Sequence, residues 1–284
     1  MKLSIIISSH NRSKLFRRTL FYINKHRPSK HKFEVIVVDD GSDEQERNDI
    51  LVQLRRYQFP YTFVEIDKTK WEKNTGLKVY GGNPVLTNNI GFYFSCGKLV
   101  SLVGNECIVY SDYDDMIGEF ESKDNKNAIL FTTTYDINLP LNDDGTNLSQ
   151  LLNPQVLQKP LQSPTLHTDV TNYCSITSAS LWEEIGGYDE IYLSGIACDD
   201  SDFVRRAALL PGFEKIRSEF ISFHQNHGGK TMYDEPLDIE YAKKFYKGLL
   251  INREVYMSWD GKRIKPLVKN HDCIKLVTVG NYGN

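Results

Sequence analysis

The sequence lacks any apolar run approaching the roughly 18 residues that a membrane-spanning helix needs, and its longest such run, around Val35–Val38, is of strand length. It has no basic stretch followed by an apolar core and a cleavage site at Met1–Ser8, so the expectation is a protein that does not follow a secretory route. It has no CxxC pair: Cys96, Cys107, Cys174, Cys198 and Cys273 are odd in number and scattered, which excludes a disulfide framework and points to reduced thiols in the cytoplasm. It has almost no net charge, −3 over 284 residues, which excludes a chain that coats nucleic acid by bulk attraction. No GxGxxG follows either of the first two apolar segments, which argues against a dinucleotide-dependent oxidoreductase. Finally, no acid occurs before Glu34, while Lys2, Arg12, Lys14, Arg17, Arg18, Lys25, Arg27, Lys30 and Lys32 all precede it.

What is present is a rhythm. Leu3–Ser8 is continuous and β-branched, as in a parallel strand buried on both faces. Asn11 can cap a helix in which Leu15, Phe16, Thr19, Leu20 and Ile23 recur at spacings of three and four. Phe33–Val38 reads as a second strand, a polar helix through Ile50, Leu51 and Leu54 follows, and Tyr61–Ile66 reads as a third strand. A helix over 85–95 and a strand over 98–103 continue the alternation, which is that of an α/β protein with a mainly parallel sheet. Residues 136–169 are polar, hold four prolines and break the rhythm, as a mobile flap would; His167, Thr165 and Thr168 are its candidate contacts. Further on, 173–178 reads as a strand, 179–185 as a helix closed by Gly186-Gly187, and 200–210 as a helix. The last stretch carries an amphipathic helix with Leu237, Tyr241, Phe245 and Leu249 on one stripe.

In open α/β sheets, ligands bind beyond the carboxyl ends of the strands. Ser8, Ser9, His10, Asn11 and Arg12 stand there after the first strand, and Asp39-Asp40-Gly41-Ser42 after the second. Carboxylates at such a mouth accept hydrogen bonds from ribose or a base, although Asp40-Gly41-Ser42 also reads as a plain turn. Glu106 follows another strand, where one carboxylate and diphosphate oxygens can share a hard cation. Asp199-Asp200-Ser201-Asp202 opens a helix. The helix dipole accounts for one or two of these acids, and the crowding of the rest raises a pKa toward that of a general base. His224 and His227 end another strand and are candidates to complete a metal site with Glu106. Trp71, placed in a loop, is a candidate for stacking on a sugar ring.

Five fragments in order, Ser4–Arg12, Val37–Ser42, Asn89-Ile90-Gly91, Ile185–Glu190 and Asp199–Phe203, resemble the family 2 inverting glycosyltransferases of the GT-A fold over roughly residues 1–230. The resemblance implies a Rossmann-like, mainly parallel sheet flanked by helices, with a helical C-terminal extension. Residues 1–230 would form the catalytic domain, divided into a nucleotide-binding half (1–104) and an acceptor half (105–230), and 231–284 would pack on it. It implies an enzyme of the hexosyltransferase type using a nucleotide-sugar, usually a UDP-sugar, and a glycan, lipid-linked or protein acceptor. Ser8–Arg12, Asp39, Asp40, Asn88 and Asn89 would bind the nucleotide. Asp200, seconded by Asp199, would be the general base. Glu106 and His224 would hold Mn²⁺ or Mg²⁺, with Asn105, His227, Asp202 and Trp71 as additional site residues. The sequence departs from the family's Asp-x-Asp: the frame reads Gly104-Asn105-Glu106, so the first Asp is absent and Glu106 stands for the second. Of the early cations, Arg12 is expected near the diphosphate; Arg17, Arg18, Lys25, Arg27, Lys30 and Lys32 are expected on a solvated face, where they can also meet a membrane surface peripherally. The alternatives are a catalytically weak nucleotide- or sugar-binding module of the same fold, and a nucleotidyltransferase, which usually carries a glycine-rich phosphate loop that Ser8–Ser13 lacks.

Overall fold

The computed structural model describes residues 2–76, 82–137, 171–195, 197–225, 239–259, 261 and 273–282. In chain order the strands are β1 (Leu3–Ser9), β2 (Phe33–Asp39), β3 (Tyr61–Ile66), β4 (Leu99–Gly104), β5 (Cys107–Val109), β6 (Ala128–Ile137), β7 (Ser175–Ser178), β8 (Glu214–Gln225) and β9 (Ile274–Gly280). The helices are α1 (Ser13–Lys25), α2 (Glu44–Leu54), α3 (Lys68–Thr75), α4 (Pro84–Phe94), α5 (Tyr113–Ser122), α6 (Ala179–Ile185), α7 (Asp199–Ala207) and α8 (Ile239–Met257). The strands form one sheet in the order β5-β8-β6-β7-β4-β1-β2-β3-β9. Its centre, β4-β1-β2-β3, is parallel; β7, β5 and β9 run against their neighbours, while β6 and β8 run parallel to each other.

The run Ile5-Ile6-Ile7 is apolar throughout because both sheet faces are covered. Ile5 and Ile7 join Val35, Val37, Phe63, Phe16 and Leu20 on one face, while Ile6 joins Ile36, Val38, Val64, Leu86, Ile90 and Leu102 on the other. The approach of α4 to the sheet is close enough to require Gly91, where a Cβ would sit 2.3 Å from Ile6 Cγ2.

Several expectations are corrected. Asn11 does not cap α1: its φ of 48° places it in the left-handed region that Asn tolerates, and Arg12 takes the capping position without a side-chain bond. Trp71 lies on α3, not in a loop, and is buried with Ile66 and Cys273. Arg18 is buried and donates to Gln225 Oε1 at 2.9 Å, so it does not belong to a solvated basic face. Asp136 and Ile137 are part of β6, and 138–169, with Thr165, His167 and Thr168, lies outside the described residues. So do Leu237 and His227, as do the side chains of Tyr241 and Phe245. The C-terminal segment supplies β9 to the sheet edge as well as a helix. No helix among the described residues is long and apolar enough to cross a membrane.

Candidate active site

The register puts Ser9 beside Asp39, Ser8 beside Gly104, and Asp39 beside Glu65, so the carboxyl ends of β1 to β4 open on one edge. Three turns meet there. Asn11 Oδ1 accepts from Asp43 N at 2.8 Å, and Asn11 N donates to Ser42 Oγ at 2.9 Å. Asn105 Nδ2 reaches Ser9 Oγ at 3.3 Å, and His10 Nδ1 pairs with the Asp40 carbonyl at 2.9 Å. Arg12 Nη1 lies 3.1 Å from Glu106 Oε2, which joins the β1 and β4 ends by an ion pair. Ser8 Oγ donates to Asn88 Oδ1 and accepts from Thr87 Oγ1, both at 2.8 Å, tying the mouth to α4.

The adjacent carboxylates Asp39 and Asp40 have different environments. Asp39 closes the turn: Ser42 donates to it from both its N–H and its hydroxyl, and Gly41 supplies the left-handed residue between them at φ 72°. Asp40 Oδ2 accepts from Gly82 N at 2.8 Å and faces Lys68 Nζ at 3.1 Å. Burial outweighs these partners and pushes the Asp40 carboxyl up to about 7, with the neighbouring Asp39 charge adding to the effect. Its Oδ1 meets no hydrogen-bond donor among the described residues, which leaves an acceptor aimed into the site.

Across the cleft, α7 starts with Asp199 and Asp200, after Ala197 and Cys198 in the left-handed region at φ 62° and 68°. Non-glycine residues held there cost on the order of 1–3 kcal/mol each and cluster at functional sites. Asp199 is almost fully buried, and burial followed by the Asp200 charge raises its carboxyl well above the ordinary range. Asp200 beside it accepts from Ser201 N at 2.7 Å. Tyr173, in the 3-10 turn 171–173, is within electrostatic reach of acids from both halves of the site: its phenol is raised by burial first and then by Cys107, Glu106, Asp200 and Asp136. Its ring lies 4.9 Å from that of His224.

Solved structures with this architecture bear on the same point. S. aureus TarS residues 1–349 in complex with UDP-GlcNAc is 18% identical, with a TM-score of 0.55 over 92% of this chain and 68% of that one. Another S. aureus TarS structure is matched over 40% of its chain, at 18% identity and a TM-score of 0.56. The mannosyltransferase PcManGT from Pyrobaculum calidifontis, in complex with GDP-Man and Mn²⁺, is 12% identical at a TM-score of 0.52, over 92% and 70% of the two chains. Residues 4–83 match the sequence profile of Glycosyl transferase family 2. This is a GT-A glycosyltransferase fold with a family 2 signature. No curated protein matches the chain by sequence.

In this GT-A chain the family fragments divide between site and scaffold. Asn89 clasps the backbone of Tyr188, donating to its O at 2.9 Å and accepting from its N at 2.8 Å, so its amide is committed to packing rather than to a nucleotide. Asp202 is likewise structural: it is fully buried, receives Arg206 Nε at 2.7 Å, and lies 3.3 Å from Arg205 and 3.2 Å from the Tyr192 hydroxyl. Arg206 also donates to the carbonyls of Ile185 and Gly187, which explains the Gly-Gly fragment as a docking point for α7. Trp71 belongs to the core. Lys68, Gly82, Asn83, Asp136 and Tyr173 were not legible as site residues: none sits in a distinctive motif, and each reaches the cleft through a tertiary contact.

Among the described residues no group of three or more His, Cys, Asp and Glu side chains is gathered as a ready cation site. The chemistry of the pair Glu106 and His224 nevertheless suits a cation that completes its coordination with diphosphate and water oxygens. His224 Nδ1 pairs with the Asp136 carboxylate at 2.7 Å, and a carboxylate on the far ring nitrogen is the arrangement found behind metal-ligating histidines.

Proposed function

We propose that this chain is an inverting glycosyltransferase that moves a sugar from a nucleotide-sugar, a UDP-sugar first among them, to a hydroxyl of a glycan, lipid-linked or protein acceptor. The observation that carries the reading is the pairing, across one cleft, of a strand-end nucleotide mouth (Ser8–Arg12, Asp39, Asp40) with Asp200 at the start of α7. The resemblance of the fold to proteins solved with UDP-GlcNAc and GDP-Man supports the donor class.

The acceptor oxygen attacks the anomeric carbon from the face opposite the diphosphate; its proton passes to the Asp200 carboxylate as the carbon–oxygen bond to the nucleotide breaks. Asp199 stands beside it with its carboxyl raised by burial and by the Asp200 charge. The uncovered Oδ1 of Asp40 serves as an acceptor for a donor group of the nucleoside. Arg12, at the β1 end, brings a fixed positive charge to the side of the cleft where the diphosphate departs. Glu106 and His224 would hold Mn²⁺ or Mg²⁺, which when bound would neutralise that diphosphate. The same reading keeps 1–104 as the nucleotide half and 105–230 as the acceptor half. Five free cysteines agree with a cytoplasmic setting.

The test is Asp200→Asn. Donor hydrolysis and transfer, screened across UDP-, GDP- and dTDP-sugars, fall by about 10²- to 10⁴-fold, the usual contribution of a general base, while UDP affinity by calorimetry is retained. A fully active Asp200→Asn protein refutes the assignment.

A further inference from the structure

The loop that delivers Asp199 and Asp200 is held from outside by two asparagine side chains. Asn252, fully buried on α8, donates through Nδ2 to the carbonyls of Tyr192 at 3.0 Å and Ala197 at 2.9 Å. Asn83 caps α4 by accepting from Val85 N at 2.9 Å, and its Nδ2 donates to the carbonyls of Tyr192 and Gly195, both at 2.8 Å. Four hydrogen bonds from two carboxamides thus gather three carbonyls just before the left-handed pair Ala197 and Cys198. The fit against α8 is tight: a Cβ on Gly195 would lie 2.2 Å from Asn252 Oδ1 and 2.6 Å from the Gly248 carbonyl. Arg205 of α7 fixes the same helix, its guanidinium 3.7 Å from the Tyr256 ring centre and 4.0 Å from that of Trp259.

We propose that Asn252 and Asn83 are positioning residues, which hold Ala197 and Cys198 in the left-handed conformation that presents Asp200 to the cleft. This rests on the transferase reading above and adds to it that the C-terminal helix is a working part of the active site. A left-handed pair of non-glycine residues persists only where its surroundings over-determine it, and the four amide bonds are that restraint. Asn83 also follows Gly82, whose N–H holds Asp40, so one short segment touches both the nucleotide mouth and the base loop. Reacting groups displaced by about 1 Å lose on the order of 10²-fold in rate.

Two variants test the proposal. Asn252→Leu keeps the branched heavy-atom skeleton of the side chain and removes both donors. Asn83→Ser keeps a good helix cap and removes the bonds to the loop, so it folds even if Asn252→Leu does not. Ile117→Val, on α5 in the core cluster of the other sheet face, is the control for a general loss of stability. The expected result is a fall in kcat of about 10²-fold in both variants with UDP affinity unchanged, faster amide hydrogen exchange at residues 197–202, and neither effect in Ile117→Val. A folded variant with wild-type kcat, or with unchanged exchange in that segment, overturns the proposal. A wild-type protein inactive on every donor refutes the transferase reading instead, and the exchange data then decide the restraint on their own.

Discussion

Asp40 places a cost on the fold that a single substitution removes. Its carboxyl is pushed from 3.8 to about 7 by burial, so the folded protein binds a proton there more tightly than the unfolded chain does. Stability from this site is present in full below the unfolded value of 3.8 and is lost as pH rises through about 7, because the folded state must then carry a buried charge. A shift of about three units at 1.36 kcal/mol each amounts to about 4 kcal/mol between those limits. Asp40→Asn keeps an oxygen to accept from Gly82 N and has no charge to bury, while Lys68, partly exposed, remains hydrated. Urea denaturation of the two proteins should therefore show Asp40→Asn more stable than wild type by several kcal/mol at pH 8, with most of the difference gone at pH 4.5. The same variant should bind UDP more weakly, since the acceptor offered to the nucleoside is altered. A stability difference equal at both pH values refutes the reasoning, because it would mean that the charge on Asp40 is not what the fold pays for.

Two further outcomes are expected. Asp202→Ala strands Arg206 in the core, and breaking a buried ion pair in this way costs about 3–5 kcal/mol, read as a lower urea midpoint. Glu106→Gln and His224→Ala should each weaken the Mn²⁺-supported part of UDP binding in calorimetry, and a wild-type protein whose UDP affinity is indifferent to EDTA removes the cation from the account.

The first four strands were legible because parallel strands covered on both faces are apolar without interruption, as Ile5-Ile6-Ile7 and Val35-Ile36-Val37-Val38 are. By contrast, β6 was not read as a strand: its Thr132-Thr133-Thr134 segment is polar, and Asp136 near its end was placed at the start of a flap. Those hydroxyls are satisfied across the sheet: Thr132 and Thr134 each meet Ser222 Oγ at 2.7 Å, and Thr133 donates to the Ser218 carbonyl at 3.1 Å. Hydropathy cannot register a polar strand whose partners lie about 90 residues away. Similarly, Arg18 looked solvated because its partner, Gln225, lies on the last site-forming strand. Within the motif fragments, Asn89 and Asp202 serve the scaffold. Helix α8 carries no motif, and only the fold brings Asn252 to Ala197.

The late strand β9 has a consequence for synthesis. It pairs with β3 along Tyr61–Ile66, although about 200 residues separate the two in the chain. At translation rates of about 5–20 residues per second, the edge of β3 waits roughly 10–40 s for its partner. Throughout that interval its row of unpaired amides and carbonyls is a template for other chains. Thr62 and Glu34 receive a tyrosine from just beyond β9, Tyr282, whose hydroxyl reaches both. The strand that closes the sheet last is thus also fastened at its far end, and a nascent chain stalled before residue 274 would carry an otherwise assembled nucleotide half with one adhesive edge.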